Sequence, residues 1–270
     1  MLPEYRSVTL EQLLTQRSGF AEVLLGDPSD MQTQANLQGT PLESRQACVQ
    51  FAITQKPAAP PGTKFIYSNV NYVIAGYVLE KIMAKPWEEL VRDRLFIPLG
   101  MTSAGFGAPG KVGVFDQPRG HRADGQPVEP GATADNPAVY GPSGRVHCSV
   151  QDWAKFTALH ATRGQSHPGL LQRESFAILQ APIKSDSDEP TLRGVAAESD
   201  GYAMGWYVLP GGVLAHSGTN LRWFAKLAII PKDQLSILVA CNQGGDAAEA
   251  GCNEAVQCLI NEFYQHHPKQ

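Results

Sequence analysis

The stretch PGTKFIYSNVNY, residues 61–72, places a Tyr-Ser-Asn step between a Pro-Gly turn and a run with helical spacing. From Asn69 onward the apolar residues recur at the intervals of one broad helix face, namely Val70, Val73, Ile74, Tyr77, Val78 and Ile82. The spacing therefore predicts a helix that begins near Asn69. Two interpretations of the step are open. Either Ser68 or Asn69 caps the helix and Tyr67 packs, or Tyr67 and Asn69 act as a base and a substrate-holding amide.

Helical patterns flank this step on both sides. Helices are predicted over residues 8–15, 41–55, 87–96, 150–162 and 175–179. Thr9 is the expected N-cap of the first helix. Ser149 is the expected N-cap of the helix at 150–162, with Asp152 as the acid of a capping box. Residues 105–141 are rich in Gly and Pro and residues 184–197 are polar, so both stretches are predicted to be loops.

The sequence pattern changes near residue 202. Four strand-like runs follow one another with short turns between them: YAMGWYVLP, GVLAHSG, WFAKLAIIP and LSILVACN. Short turns of this kind join antiparallel neighbours, and a helix predicted over residues 247–264 would cover the sheet. The sequence therefore predicts an α+β fold in one domain over residues 1–270. A mainly helical block occupies residues 1–200, and the sheet strands and closing helix occupy residues 201–270.

The composition argues against several classes of function. Charged residues make up 18% of the chain, the net charge is −4 and no basic run stands out, so nucleic-acid binding is not expected. The longest apolar stretches are too short to span a bilayer. The histidines and the five cysteines match no metal-ligand spacing, so neither a metal nor a cofactor is expected. We expect His147 and His160 to be structural. The cysteines are expected to be small buried residues, with a disulfide involving Cys241, Cys252 or Cys258 as the alternative.

A second motif lies in the predicted meander, where His216-Ser217-Gly218 ends a strand within AHSGTN, residues 215–220. Together with Tyr67-Ser68-Asn69, it resembles two of the three motifs of the penicillin-recognising serine hydrolases. These include class C β-lactamases, D-alanyl-D-alanine carboxypeptidases and β-lactamase-like family VIII esterases. Further segments resemble the family in the same order, namely LEQLLTQRSGF (residues 10–20), LFIPLGMTSAGF (95–106) and GPSGRVHCSVQDWAKF (141–156). The resemblance runs from about Leu2 to the last helix and implies the β-lactamase and penicillin-binding-protein type of fold.

The resemblance also implies roles for individual residues. Tyr67 corresponds to the family's general base or proton shuttle, and Asn69 to the amide that holds the substrate's carbonyl side chain. His216, Ser217 and Gly218 are expected to line the edge of the cleft.

The turn after this motif is included in the same expectation. A backbone N–H near Asn220 is expected to face the oxyanion, and Arg222 is a candidate cation for the substrate, although a solvated turn residue is the alternative. His216 stands where the family has lysine. A histidine is only partly charged near neutral pH, which favours esters or peptides over penicillins.

The family's third motif, Ser-x-x-Lys, is not found in these 270 residues, because no serine has a lysine three positions later. The resemblance places that nucleophile upstream of residues 10–20, so we expect the chain to lack the N-terminal part that carries it. Ser68, Ser143 and Ser217 are weak substitutes, because no general base is evident beside them.

Three functions follow from this expectation. The first is a serine hydrolase that forms an acyl-enzyme with an ester, peptide or β-lactam, its nucleophile segment lying outside this chain. The second is an inactive homologue that serves as a ligand-binding or regulatory module, and the third is a non-functional fragment. The expected partner is a small-molecule or peptide substrate. Self-association through a face left open by the missing segment is also expected, and the family's usual location would be periplasmic or secreted.

Overall fold

The computed structural model of the protein describes residues 1–21, 39–183 and 199–267. Helices dominate the first part of the chain, and a five-stranded antiparallel sheet and one long helix follow. This order confirms the predicted α+β fold. The loop predicted at residues 184–197 lies outside the described residues.

The elements are numbered in chain order over the described residues. Helices α1 to α8 span Leu10–Leu14, Pro41–Ala52, Asn69–Met83, Trp87–Val91, Gly141–Gly144, Val150–Ala161, Arg173–Leu179 and Asp246–His266. Strands β1 to β9 span Gly105–Phe106, Gly120–His121, Pro127–Val128, Val146–His147, Gly201–Tyr202, Tyr207–Leu209, Val213–Thr219, Phe224–Ile230 and Leu235–Cys241. A π-helical turn at Arg92–Phe96 extends α4. The predicted loop at residues 105–141 thus also contains short strands, of which β1 pairs with β4 and β2 with β3.

Threonine caps start the first two helices. Thr9 and Thr40 each accept a hydrogen bond from a backbone N–H in the first turn of α1 and α2. The side chains of Gln12 and Glu43 in turn accept hydrogen bonds from the backbone N–H groups of Thr9 and Thr40, so both helices begin with a complete capping box. The prediction of Thr9 as an N-cap is confirmed.

The predicted capping box of α6 is only partly formed: the serine bond is present, but the acid does not accept from the N–H of the cap. Ser149 Oγ does accept from Asp152 N at 3.2 Å. The Asp152 carboxylate, however, pairs with Lys155 Nζ at 2.7 Å and accepts from Ser103 N at 2.7 Å and Ser103 Oγ at 2.6 Å. The bonds from Lys155 and then Ser103 lower the pKa of Asp152 to about 2. Ser103 Oγ also accepts from Ser149 N at 2.9 Å, so a residue distant in sequence replaces the local box.

A buried arginine joins three helices of the first part of the chain. Arg45 in α2 is fully buried and donates to both carboxylate oxygens of Glu80 in α3, at 3.1 and 2.5 Å. It also donates to both oxygens of Glu88 in α4, at 2.9 and 2.8 Å, and to the Ala138 carbonyl at 3.3 Å. Because a buried charge is stable only when it is paired, these bonds fix the relative positions of α2, α3 and α4.

The five-stranded sheet is a meander with the order β5-β6-β7-β8-β9, and each neighbouring pair is antiparallel. This confirms the predicted antiparallel connections, although the first predicted run divides into β5 and β6. Helix α8 packs on one face of the sheet through Ala248, Cys252 and Val256. Trp153 and Phe156 of α6 contact the opposite face, where Leu214, Leu227 and Ile229 are buried.

His160 in α6 lies inside an aromatic part of the core. It is 7% exposed, and its ring centroid is 4.9 Å from that of Phe156, 5.0 Å from Trp206 and 5.6 Å from Phe176. Its Nδ1 atom has no hydrogen-bond partner among the described residues. Burial lowers the pKa of His160 to about 4, so the ring is neutral at neutral pH.

Acidification is expected to destabilise the protein through His160. The unfolded chain takes up this proton near pH 6.5 and the folded protein only near pH 4, so stability falls as the pH drops from about 6.5 to 4. The full difference amounts to about 3 kcal/mol at most. In His160→Phe, urea unfolding between pH 7 and pH 4 should show a pH dependence that is weaker by this amount. His266→Phe, at an exposed histidine, is the control and should keep the wild-type slope. Parallel pH profiles for wild type and His160→Phe would contradict the assignment.

The cysteines form no disulfide within the described residues. Cys48 and Cys252 are buried and Cys148 and Cys241 are partly buried, but Cys258 is exposed, so the expectation of a buried residue is wrong there. No described helix has both the length and the apolar character needed to cross a membrane. The described His, Cys, Asp and Glu side chains include no group of three or more with the geometry of a metal site.

Candidate active site

The start of α3 positions the Tyr-Ser-Asn step. Ser68 occupies the N-cap position with extended backbone, but its side chain makes no capping bond, and Asn69 is the first helical residue. The interpretation of Ser68 as the N-cap is therefore confirmed in position, although its side chain does not bond to the first turn, and Asn69 is not the cap. Tyr67 precedes the helix and is 40% exposed, so its phenol is reachable from solvent.

A buried network of hydrogen bonds holds the Tyr-Ser-Asn step, residues 67–69, in place. Ser68 N donates to Gln16 Oε1 at 3.0 Å, and Asn71 Nδ2 donates to the same oxygen at 2.6 Å. Ser18 Oγ donates to Asn71 Oδ1. Ser68 Oγ donates to the Ala21 carbonyl at 3.2 Å. All these side chains are buried, which holds the backbone of residues 67–69 against the segment at residues 16–21.

Strand β7 brings His216 to Tyr67. The ring centroids of Tyr67 and His216 are 6.4 Å apart, so the two sequence motifs meet at the junction of the helical part and the sheet. Asn69 follows Tyr67 at the start of α3. Ser217 is half-buried and Gly218 is exposed, both on the same strand.

Two tyrosines that the sequence reasoning did not single out complete the surroundings. The Tyr207 ring centroid lies 5.7 Å from that of His216, and the Tyr202 centroid lies 6.4 Å from that of Tyr67. Tyr202 and Tyr207 are themselves in edge contact, with centroids 5.0 Å apart. Both lie within the run YAMGWYV, but only the register of β5 and β6 shows that they face the two motifs.

The aromatic surroundings keep the site neutral. Burial lowers the pKa of His216, while a hydrogen bond involving the Ser217 backbone acts weakly in the other direction. Burial, together with the neighbouring Tyr67, raises the pKa of Tyr207 to about 12. Burial also raises the pKa of Tyr202 far above its ordinary value. At neutral pH His216 is uncharged and Tyr202 and Tyr207 keep their protons.

Strand β7 offers an open edge beside this pair. Its pairing with β6 ends at Ala215, opposite Tyr207, whereas its pairing with β8 continues to Thr219. Residues 216–219 are therefore paired with a described strand on one side only. A Cβ atom added at Gly218 would meet no atom within 4 Å, so the space above the strand is open. An extended chain could pair with β7 at this edge.

The turn after β7 uses Asn220 for its own structure. Asn220 Oδ1 accepts from Arg222 N at 3.1 Å and from Trp223 N at 2.9 Å, while its Nδ2 donates to Asp135 Oδ1 at 2.7 Å. Arg222 Nη1 donates to the Leu221 carbonyl at 3.2 Å. The side chain of Asn220 therefore holds the turn, and a contribution to the cleft would come from its backbone.

The remaining sequence-derived candidates are the serines and His147. Ser143 Oγ lies 3.4 Å from the Tyr140 carbonyl within the short helix α5. Ser68 is fully buried. His147 Nδ1 is 2.7 Å from the Gly107 carbonyl, which agrees with the structural role expected for it. Among the three serines, Ser217 lies on the strand that carries His216.

Comparisons with known proteins agree with this architecture. A family model described as Beta-lactamase matches residues 2–259. Penicillin-binding protein 4 of Amycolatopsis lactamdurans is 25% identical over 264 residues, which cover 96% of this chain and 65% of that protein. The chain thus spans less than two-thirds of the length of that relative.

Solved structures show the same fold. The D-amino acid amidase of Ochrobactrum anthropi SV3, in complex with L-phenylalanine amide, matches with a TM-score of 0.76 and 20% identity, over 98% of this chain and 74% of that one. The octameric penicillin-binding protein homologue of Pyrococcus abyssi matches with a TM-score of 0.68 and 23% identity, over 94% of this chain and 56% of that one.

Proposed function

Because this chain belongs to the beta-lactamase family, we propose that it carries the proton-shuttle and substrate-binding parts of an acyl-transfer site. The proposed reaction is hydrolysis of an ester, peptide or β-lactam through an acyl-enzyme. In this reaction a serine hydroxyl attacks the carbonyl carbon, the leaving group departs with a proton, and water then releases the acyl group. Tyr67 would move the proton, and Asn69 would hold the substrate beside it.

The proximity of Tyr67 and His216 beside the open edge of β7 carries the proposal. Ring centroids 6.4 Å apart place the two side chains next to each other, and residues 216–219 form the strand edge that begins at His216. An amide or peptide substrate can align with the backbone of Ser217 and Gly218 there, as an added strand would. A backbone N–H near Asn220 would then face the carbonyl oxygen that becomes negative during attack.

The charge of the site favours neutral substrates over those with a carboxylate beside β7. Burial lowers the pKa of His216, so a neutral ring stands at this position at neutral pH. A neutral imidazole attracts a carboxylate less than an ammonium group does. Arg222 lies in the turn between β7 and β8 and is proposed as a secondary cation. We therefore propose an ester or a peptide as the substrate, with a β-lactam as the less favoured one.

The nucleophile is the part of the reaction that these residues do not supply. No serine in the sequence has the Ser-x-x-Lys spacing, and we propose that the nucleophile segment is not part of this chain. The same observation favours the second candidate function, an inactive homologue that binds a ligand in the cleft without turning it over. Both functions place the ligand against Tyr67, Asn69 and His216.

Ligand binding at the cleft tests the proposal directly. N-acetyl-D-alanyl-D-alanine amide, a neutral probe, should shift the NMR signals of the His216 ring. Tyr67→Phe should bind this probe about five- to tenfold more weakly, because it lacks one hydrogen-bonding hydroxyl. Tyr77→Phe removes a hydroxyl from helix α3, which follows Tyr67, at a ring beside Lys81, and is the matched control. Unchanged His216 signals, or equal affinities for both variants and wild type, would argue against the proposed site.

We also propose self-association through an apolar surface. Val78, Leu79, Ile82 and Met83 are all exposed near the end of α3, and Ile82 is exposed at 72%. Strand β9 is the edge of the described sheet, and its sequence LSILVAC carries no charge. Exposed apolar patches and uncharged edge strands both favour association. The octameric assembly of the Pyrococcus abyssi homologue shows that the fold tolerates it.

Light scattering checks the proposed self-association. The protein is expected to exceed its monomer mass of 29.2 kDa as its concentration rises. Ile82→Lys and Ala240→Lys, the latter at the exposed residue of β9, should each shift the distribution towards monomer, whereas Ile97→Lys, at an exposed residue elsewhere, is the control. A monomer mass at every concentration would count against the proposal.

A further inference from the structure

A small cavity lies between the lobe at residues 108–134 and the turn that follows β7. Its apolar walls are formed by Ala108, Pro109, Val128, Pro130 and Ala134. The two polar side chains that line it are those of Arg119 and Trp223. The volume open to the centre of a water-sized sphere is about 10 Å³, so the cavity holds one water molecule or one monatomic ion. A phosphate, a sulfate or an organic substrate therefore does not fit.

Arg119 lines this cavity and has N–H groups without hydrogen-bond partners among the described residues. It is 8% exposed, and its Nη1 donates to the Lys111 carbonyl at 3.2 Å. Nη2 lies 3.2 Å from Glu129 Oε2, an ion-pair contact without hydrogen-bond geometry. Neither Nε nor Nη2 has a hydrogen-bond partner among the described residues. Buried donors without partners are rare in folded proteins, and a bound water or ion commonly accounts for them.

The Glu129 carboxylate compensates the charge of Arg119 only in part, because it lies on the solvent-exposed side of the guanidinium. Its side chain is 56% exposed and also lies 3.3 Å from the N–H of Gly113, so water screens much of its charge. The face of the guanidinium is covered by the Phe115 ring, whose centroid is 4.6 Å away. The buried side of Arg119 is therefore a cationic donor surface.

Gly120 allows Trp223 to approach the same place. A Cβ atom at Gly120 would lie 2.5 Å from Trp223 Nε1, a distance that no real side chain tolerates. The indole N–H is thus packed directly against the backbone next to Arg119. Arginine and tryptophan side chains donate hydrogen bonds and accept none.

We propose that this cavity binds a chloride-sized monovalent anion, held by Arg119 and Trp223. A water molecule in a cavity needs acceptors as well as donors, and the polar side chains that line this one among the described residues, Arg119 and Trp223, are donors only. An anion needs donors only, and the guanidinium offsets the loss of its hydration. The bound ion would connect the lobe at residues 108–134 to the turn after β7. This site is independent of the hydrolase proposal.

Bromide provides a direct structural test. In crystals of the protein soaked in sodium bromide, an anomalous peak is expected inside the cavity, within hydrogen-bonding distance of Arg119 Nε or Trp223 Nε1. Electron density for a water without an anomalous signal would overturn the proposal, and so would bromide bound only at other surfaces.

Unfolding in different salts tests the same site in solution. At equal ionic strength, 100 mM sodium chloride should stabilise the folded protein relative to sodium gluconate. With a dissociation constant of about 10 mM, the folded-to-unfolded ratio rises roughly tenfold. Arg119→Gln should remove this difference, and Trp223→Phe, which deletes only the N–H donor from an aromatic wall, should reduce it.

Arg122→Gln is the control, because Arg122 is an exposed arginine on the same hairpin. It should keep the full chloride effect. If Arg119→Gln does not fold, Trp223→Phe and the bromide crystals decide the question. An equal response to chloride in wild type, Trp223→Phe and Arg122→Gln would overturn the proposal.

Discussion

Replacing Arg45 with methionine is expected to lower the free energy of unfolding by about 3–5 kcal/mol. The substitution keeps most of the aliphatic volume but removes the cation that pairs with Glu80 and Glu88. Glu80 is 1% exposed at its side chain, so its carboxylate would stay buried without a counter-ion. Removing one partner of a buried pair costs more than the pair itself contributes, because the remaining charge is desolvated and uncompensated. Urea unfolding measures the change directly.

Two further variants make this result specific. Arg94→Met removes an exposed arginine close to α4 and should change stability by no more than about 0.5 kcal/mol. Combining Arg45→Met with Glu80→Gln should recover part of the loss, since the buried charge is then gone. A loss below about 1 kcal/mol for Arg45→Met alone would show that the three-helix connection is not held by these ion pairs.

The sequence predicted the sheet and the start of α3 well, for local reasons. The short turns between apolar runs imply antiparallel neighbours, and β6 to β9 pair in that order. The helical spacing from Asn69 gave the start of α3 correctly, and the first half of the predicted apolar stripe faces the core through Val70, Val73 and Ile74. The second half of that prediction is wrong, because Val78 and Ile82 are exposed.

Contacts between residues far apart in sequence could not be predicted in this way. Arg45 and Glu80 are 35 positions apart, and nothing in their local sequence marks them as a pair. Asp152 looked like a local capping acid because its spacing from Ser149 fits, but a serine 49 positions away competes for its carboxylate. Tertiary context decides between such partners.

The candidate site likewise has a part that the sequence predicted and a part that it did not. The positions of Tyr67 and His216 followed from motif resemblance, and the structure brings their rings together. The packing of Tyr202 and Tyr207 against them depends on strand register, which the sequence does not reveal. The use of the Asn220 side chain within the turn likewise depends on Asp135, 85 positions away.

We expect that this chain is not acylated. A β-lactam or an activated ester should form no stoichiometric covalent adduct with this chain. Acyl transfer in this family needs a hydroxyl beside an amine, and no serine here has the Ser-x-x-Lys spacing. Ser68 is buried with its hydroxyl donated to the Ala21 carbonyl, which leaves it poorly placed for attack. Slow hydrolysis without acylation is still compatible with a partly formed oxyanion site.

Serine-to-alanine variants show whether any covalent adduct lies on a candidate serine. Ser217→Ala changes the serine on the strand beside Tyr67, and Ser143→Ala changes the one in α5. Neither variant should alter the mass spectrum if the nucleophile is not in this chain. Ser7→Ala, at an exposed serine that precedes α1, controls for non-specific labelling by the activated ester.

We propose that Tyr67, Asn69 and His216 form a substrate cleft whose nucleophile this chain does not supply. Intact-protein mass spectrometry after incubation with a β-lactam and with an activated ester tests it most directly, with the neutral peptide amide present as a competitor. Unmodified protein is expected in every sample. A stoichiometric mass increase that maps to Ser68, Ser143 or Ser217, and that the competitor suppresses, would contradict it and identify that serine as the nucleophile.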